Sequence, residues 1–109
     1  MIDDHEFKKH ADEALKSIQG DLVLAGDDYG FQSVLKGGAI TMSFERPTAQ
    51  FTVTPDSAAK QLKLVLGARS FKLDWDIVEN AFVNVETGLT LKELLEQALS
   101  KHLKRDVEL

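Results

Sequence analysis

From about residue 30 to residue 85 apolar side chains recur at every second position, and on both sides of that stretch they recur at every third or fourth. This switch of period constrains the chain more than any other feature. A pattern of period 3.6 laid into a sheet, or of period two wound into a helix, sends much of its apolar set to solvent. At the start, Phe7, Ala11, Ala14, Leu15, Ile18 and Leu22 form one helical stripe. Asp3 or Asp4 is placed to cap it, and acids in the first turn suit the positive helix end. Gly20 is expected to end or loosen this helix, leaving residues 21–29 as an exit and loop.

The alternating segments follow in order. Phe31, Ser33 and Leu35 alternate with Gln32 and Val34, and Lys36-Gly37-Gly38-Ala39 reads as a tight hairpin. Ile40, Met42 and Phe44 alternate with Thr41 and Ser43, and Glu45-Arg46-Pro47-Thr48 turns the chain again. Phe51 and Val53, then Leu62, Leu64 and Leu66, then Phe71, Leu73 and Trp75 continue the pattern. A last strand is expected from Ala81 to Val85. Thr90-Leu91-Lys92-Glu93 has the spacing of a capping box, and Leu91, Leu94, Leu95, Ala98, Leu99 and Leu103 give the helix it opens an apolar face. Val107 and Leu109 in the tail are placed to lie across the helices.

Two terminal helices must each bury a stripe, and an antiparallel sheet offers one apolar face while the other stays wet. The expected architecture is therefore α+β, a two-layer sandwich with both helices on one face of a five- to six-stranded antiparallel sheet, in a single domain over residues 1–109.

Composition narrows function by exclusion. The chain has no cysteine, so disulfides, thiolate metal sites and cysteine nucleophiles are out, and a reducing, cytoplasmic setting is expected. A net charge of −5 and a pI near 5.1 disfavour nucleic acid. The basic clusters Lys8-Lys9 and Lys101 to Arg105 are interrupted by acidic or apolar residues. No apolar run approaches the ~20 residues of a membrane helix, and Met1 to Glu6 lacks the basic-then-apolar order of a signal peptide. No phosphate loop, nucleophile motif or paired histidine ligands stand out, so an enzyme is not expected.

One constellation carries possible chemistry. At ~100° per residue, Asp3, Glu6, His10, Glu13, Ser17 and Asp21 fall within an arc of roughly 80° on the first helix, with no lysine among them. Oxygen donors with one imidazole suit iron, manganese or calcium, held weakly on an open surface. Asp27 and Asp28 are expected in a loop near the helix end and join the candidate set. The plain alternative is a solvated acidic helix face. His5 and His102 are expected on the surface, Trp75 in the core or at a sheet edge, Gln61 exposed, and Lys60 and Lys63 as an exposed basic spot.

The element order and four pieces within it resemble the frataxin family. These are Phe7 to Ile18; Thr54-Pro55 with Lys60-Gln61-Leu62-Lys63-Leu64; Asp74-Trp75; and Gly88-Leu89-Thr90-Leu91 with Glu93-Leu94-Leu95. The resemblance covers nearly the whole chain. It implies an accessory protein that binds ferrous or ferric iron weakly, and other divalent cations with it. Such a protein donates iron to, or regulates, iron–sulfur cluster assembly. The implied partners are a cysteine desulfurase, docked on the acidic helix, and the scaffold protein, with Gln61 and Lys63 as partner-binding positions. The implied state is a monomer that iron can drive to oligomers, and weak oxidation of ferrous iron would be a property of metal on carboxylates. Two departures stand out. The family's exposed sheet tryptophan falls at Lys63 and its asparagine at Ala59, and the acidic ridge where the first helix meets the first strand is thin. The alternative reading is an interaction module that regulates assembly without carrying iron.

Overall fold

The first helix, α1, outruns the stop that Gly20 advertises. In the computed structural model, which describes residues 3–45, 48–104 and 106–109, α1 spans Asp4–Tyr29. Asp3 is the N-cap, its carboxylate accepting the Glu6 N–H at 2.8 Å. The helix continues past Gly20 because Leu22, Ala25 and Gly26 extend the stripe already buried through Phe7, Ala11, Leu15 and Ile18. Packing along the whole helix outweighs the modest helix cost of one glycine, about 1 kcal/mol relative to alanine. The true end is at Gly30, in the left-handed conformation, where the N–H groups of Gly30 and Phe31 both return to the Gly26 carbonyl.

Six strands follow: β1 (Gln32–Lys36), β2 (Ala39–Glu45), β3 (Thr48–Asp56), β4 (Gln61–Leu66), β5 (Arg69–Asp76) and β6 (Ala81–Val83). They pair antiparallel in sequence order, a six-stranded meander. Gly37 and Gly38, both at positive φ, close the first hairpin with Lys36 opposite Ala39, as the sequence indicates. Arg46 and Pro47, the centre of the expected β2–β3 turn, lie outside the described residues, as does Arg105. The expected last strand is shorter than read, ending at Val83. Asn84 then turns its backbone into hydrogen bonds with Leu89 and Gly88 instead of a sheet partner.

The register puts Ile40 against Val53 and Val53 against Leu64, all fully buried, on one face with Met42, Leu62 and Leu73. Both helices cover this face, and with them it forms one core. α2 (Leu91–Leu103) begins at the anticipated capping box, with Thr90 and Glu93 each accepting the other's backbone N–H. Leu91, Leu94, Leu95 and Leu99 are its buried face. Val107 of the tail joins the core, and its N–H donates to Ser100 Oγ at 2.9 Å. Leu109 N–H donates to Glu96, and the Tyr29 hydroxyl donates to the Asp106 carbonyl, so the tail is tied to both helices. No described helix is long and apolar enough to cross a membrane.

Candidate functional site

The wheel arc of α1 becomes a wall of a groove. His10, Glu13, Ser17 and Asp21 line it on one side. Trp75 at the end of β5, Asn80, Ala81 and Phe82 of the next turn and strand, and Thr90 to Lys92 at the start of α2 line the rest. The groove holds about 480 Å³ and is open to solvent. His10 stacks flat on Trp75, with ring centroids 3.8 Å apart and planes 11° from parallel. Trp75 in turn meets Phe82 edge-on, and Phe82 meets Phe7 of the core at 89°. The imidazole is thus held against a chain of aromatic rings anchored in the interior, while its neighbours Glu6 and Glu13 are exposed. The expected core or edge position of Trp75 is met by a half-buried ring at the groove floor.

Helix geometry limits what this wall can ligate. Glu6, His10 and Glu13 are one turn apart in succession, close enough for neighbouring pairs to share an ion. Asp3 and Asp21, separated by 18 residues, lie ~27 Å apart along the axis. Among the described residues no three histidine or acidic side chains converge on one metal position. The stripe is a row of carboxylates with one imidazole, Glu6 and Glu13 exposed, His10 and Asp21 half-buried.

Other candidates sit elsewhere than expected. Asp27 and Asp28 are in the last turn of α1, because the helix outran Gly20. At ~100° per residue Asp28 falls back into the acidic arc, and Asp27 lies roughly 40° outside it. Where α1 meets β1 the link is neutral. The Gln19 amide donates to the Ser33 carbonyl at 3.0 Å and accepts from the Ser33 hydroxyl at 2.7 Å. Of the arc's acids, Glu13 and Asp21 face β6 and α2 across the groove, on the flank away from β1.

Gln61 is half-buried instead of exposed, its amide donating to Asp74 across the β4–β5 pair at 2.9 Å. Lys63 is exposed on the wet face directly opposite Lys72. Lys60 is half-buried and lies 3.8 Å from Asp4, so the expected basic pair is reduced to Lys63 with a new neighbour, Lys72. His5 is exposed as expected, but His102 packs against Phe44 and Phe51, at 4.4 and 5.4 Å between ring centroids. Burial of those two rings at the end of the sheet drew it inward.

Sequence reading missed Asn84, the one polar residue fully buried among those described. Its amide donates to the Lys72 carbonyl at 2.9 Å and its oxygen accepts from both the N–H and hydroxyl of Thr87. These bonds shape the loop that presents Thr90 and α2 to the groove. An asparagine after a short apolar strand was the available signal, and it reads equally well as an ordinary turn residue.

A frataxin-like domain model matches residues 1–105. The chain belongs to the frataxin family. Among solved structures, it is similar to a frataxin from Psychromonas ingrahamii, with a TM-score of 0.83 and 20% identity over 98% of this chain and 97% of that one. No curated protein matches it by sequence. Family membership gives the chain a general role in iron–sulfur cluster assembly and a general association with iron, in a family whose members are not typically enzymes.

Proposed function

We propose that this frataxin carries iron, as cargo, on the exposed donors of α1 and docks through the same flank on a cysteine desulfurase. The observation that carries this reading is the succession Glu6, His10, Glu13 on one open helix flank, with His10 held in place by Trp75. Neighbouring carboxylates repel, and a divalent cation between two of them relieves the repulsion while gaining oxygen ligands. Asp3, Asp21 and Asp28 extend the negative field along the helix, which attracts both cations and a basic protein. Asp27, outside the arc, contributes only to that field. On the opposite, wet face, Lys63 beside Lys72 suits an acidic patch of the scaffold protein, with Gln61 held by Asp74 at its margin.

Trp75, the single tryptophan, supplies the test. Ferrous iron added anaerobically is expected to quench its fluorescence, because the proposed ligand His10 touches its ring. Nitrogen–proton NMR should show broadening centred on Glu6, His10 and Glu13, sharply reduced in Glu6→Gln/Glu13→Gln. Broadening centred on Glu93 and Glu96 of α2 would move the site, and unaltered spectra at millimolar iron would remove iron carriage. The second reading, regulation of assembly without iron, draws on the neutral Gln19–Ser33 link and the absence of a converged ligand set among the described residues.

A further inference from the structure

The turn between β5 and β6 is built unlike its neighbours. The β1–β2 turn is Gly37-Gly38, the β3–β4 turn is Ser57, Ala58, Ala59 and Lys60, and the β4–β5 turn is Gly67-Ala68, none with a large apolar side chain. At the tip of the β5–β6 turn stand Ile77 and Val78, exposed to 84% and 87%. β-branched apolar residues are poor turn formers, and neither of these belongs to the core or packs against it. The turn is held without them. Asp76 accepts the N–H groups of Val78 and Glu79 at 2.9 and 3.1 Å, and Asn80 takes the left-handed conformation at φ 54°. The core therefore gains nothing from the two side chains, which stand almost wholly exposed on a turn whose backbone is tied to Asp76.

Their surroundings say what kind of surface they meet. Asp76 and Glu79 flank them in sequence. Asn80, two residues on, lines the groove whose facing wall is the α1 stripe of His10, Glu13, Ser17 and Asp21. The apolar tip thus lies in the chain between Trp75 and Asn80, two residues that line the groove walled by the acidic stripe. Exposed charges by themselves steer an encounter and are screened by salt, but they hold a complex weakly. Tight docking needs apolar side chains that leave water at its centre. On this flank Leu24 is also exposed, to 68%, and by helix geometry it falls in the acidic arc roughly one turn beyond Asp21.

We infer that Ile77 and Val78 are the apolar anchor by which this chain seats on a partner protein whose surface is basic and carries an apolar recess. The inference rests on the docking reading above and adds the feature that gives the complex its lifetime. The α1 carboxylates set how fast and how salt-sensitively the partner arrives; the turn sets how slowly it leaves.

The experiment compares wild type, Ile77→Ser/Val78→Ser and Glu6→Gln/Glu13→Gln binding to a purified cysteine desulfurase by surface plasmon resonance at several salt concentrations. The serine variant should melt where wild type does, since neither side chain packs. It should bind about tenfold more weakly, through a faster off-rate and with an unchanged salt slope. The glutamine variant should lose on-rate and flatten the salt slope. A serine variant that binds as wild type does overturns the anchor and leaves docking through α1 standing. A wild-type chain that does not bind the desulfurase at all overturns both.

Discussion

The two helices lie on the same sheet face and share one core, yet only one of them runs on through a glycine that reads as its stop. α2 is delimited by its own residues: the Thr90–Glu93 capping box opens it, and after its thirteen residues Lys104 closes it in the left-handed conformation. α1, at twenty-six residues, is also capped by its own residues, Asp3 and the left-handed Gly30, but it passes through an interior glycine only because of what it touches. Its interior contains Gly20, which meets nothing, and its last buried position is Gly26, where a Cβ would come within 2.4 Å of the Phe31 carbonyl oxygen. One glycine is a gap in a helix that packing carries through; the other is the only kind of residue that lets the chain fold back against the helix end. A glycine in a sequence does not say which of these it is.

That contrast can be broken or sharpened by mutation. The largest effect is expected where the helices are alike. Leu15→Ala in α1 and Leu94→Ala in α2, both buried, should each cost about 2–5 kcal/mol in urea unfolding by leaving a cavity. Losses below ~0.5 kcal/mol at both would mean the helices do not share this core. Next comes the tail, which hydrogen-bonds both helices. Deleting residues 106–109 exposes the pocket filled by Val107 and should lower stability by up to about 1.5–3 kcal/mol, read as a drop in melting temperature. An unchanged melting curve would mean the tail frays in solution.

The two glycines of α1 should then respond in opposite directions. Gly26→Ala forces the Phe31 carbonyl away and should destabilise by about 1–3 kcal/mol. Gly20→Ala adds a helix former in open space and should stabilise by about 0.5–1 kcal/mol. Equal signs at the two sites would mean that the two glycines play the same part in α1. The smallest loss is expected at the local signal of α2. Thr90→Ala removes one reciprocal cap bond and should cost about 1 kcal/mol, with Glu93→Gln, which retains an acceptor, costing less. If Thr90→Ala proved neutral, α2 would owe its start to packing, as α1 owes its passage through Gly20.

Much of the site was open to reading, and the omissions share a cause. The arc of Glu6, His10 and Glu13 follows from counting along a helix and stands as read. Its aromatic floor does not, because Trp75 and His10 are 65 positions apart in the chain and meet only once α1 lies across β5. The helical placement of Asp27 and Asp28, the Gln61–Asp74 bond and the packing of His102 on Phe44 and Phe51 were misjudged for the same reason. A polar residue shows its type in the sequence but not its neighbour.

By itself, the sequence determined the element order, the inward face of the first five strands, the Gly37-Gly38 hairpin and the opening of α2. Each of these depends on contacts within a few residues or on a period that burial enforces. The tertiary structure alone decided that α1 runs through Gly20, which flank of it faces the groove, and which polar residues are drawn in. Those outcomes turn on packing between segments distant in the chain, where a few kcal/mol of buried contact override the weaker preference of a single glycine or histidine.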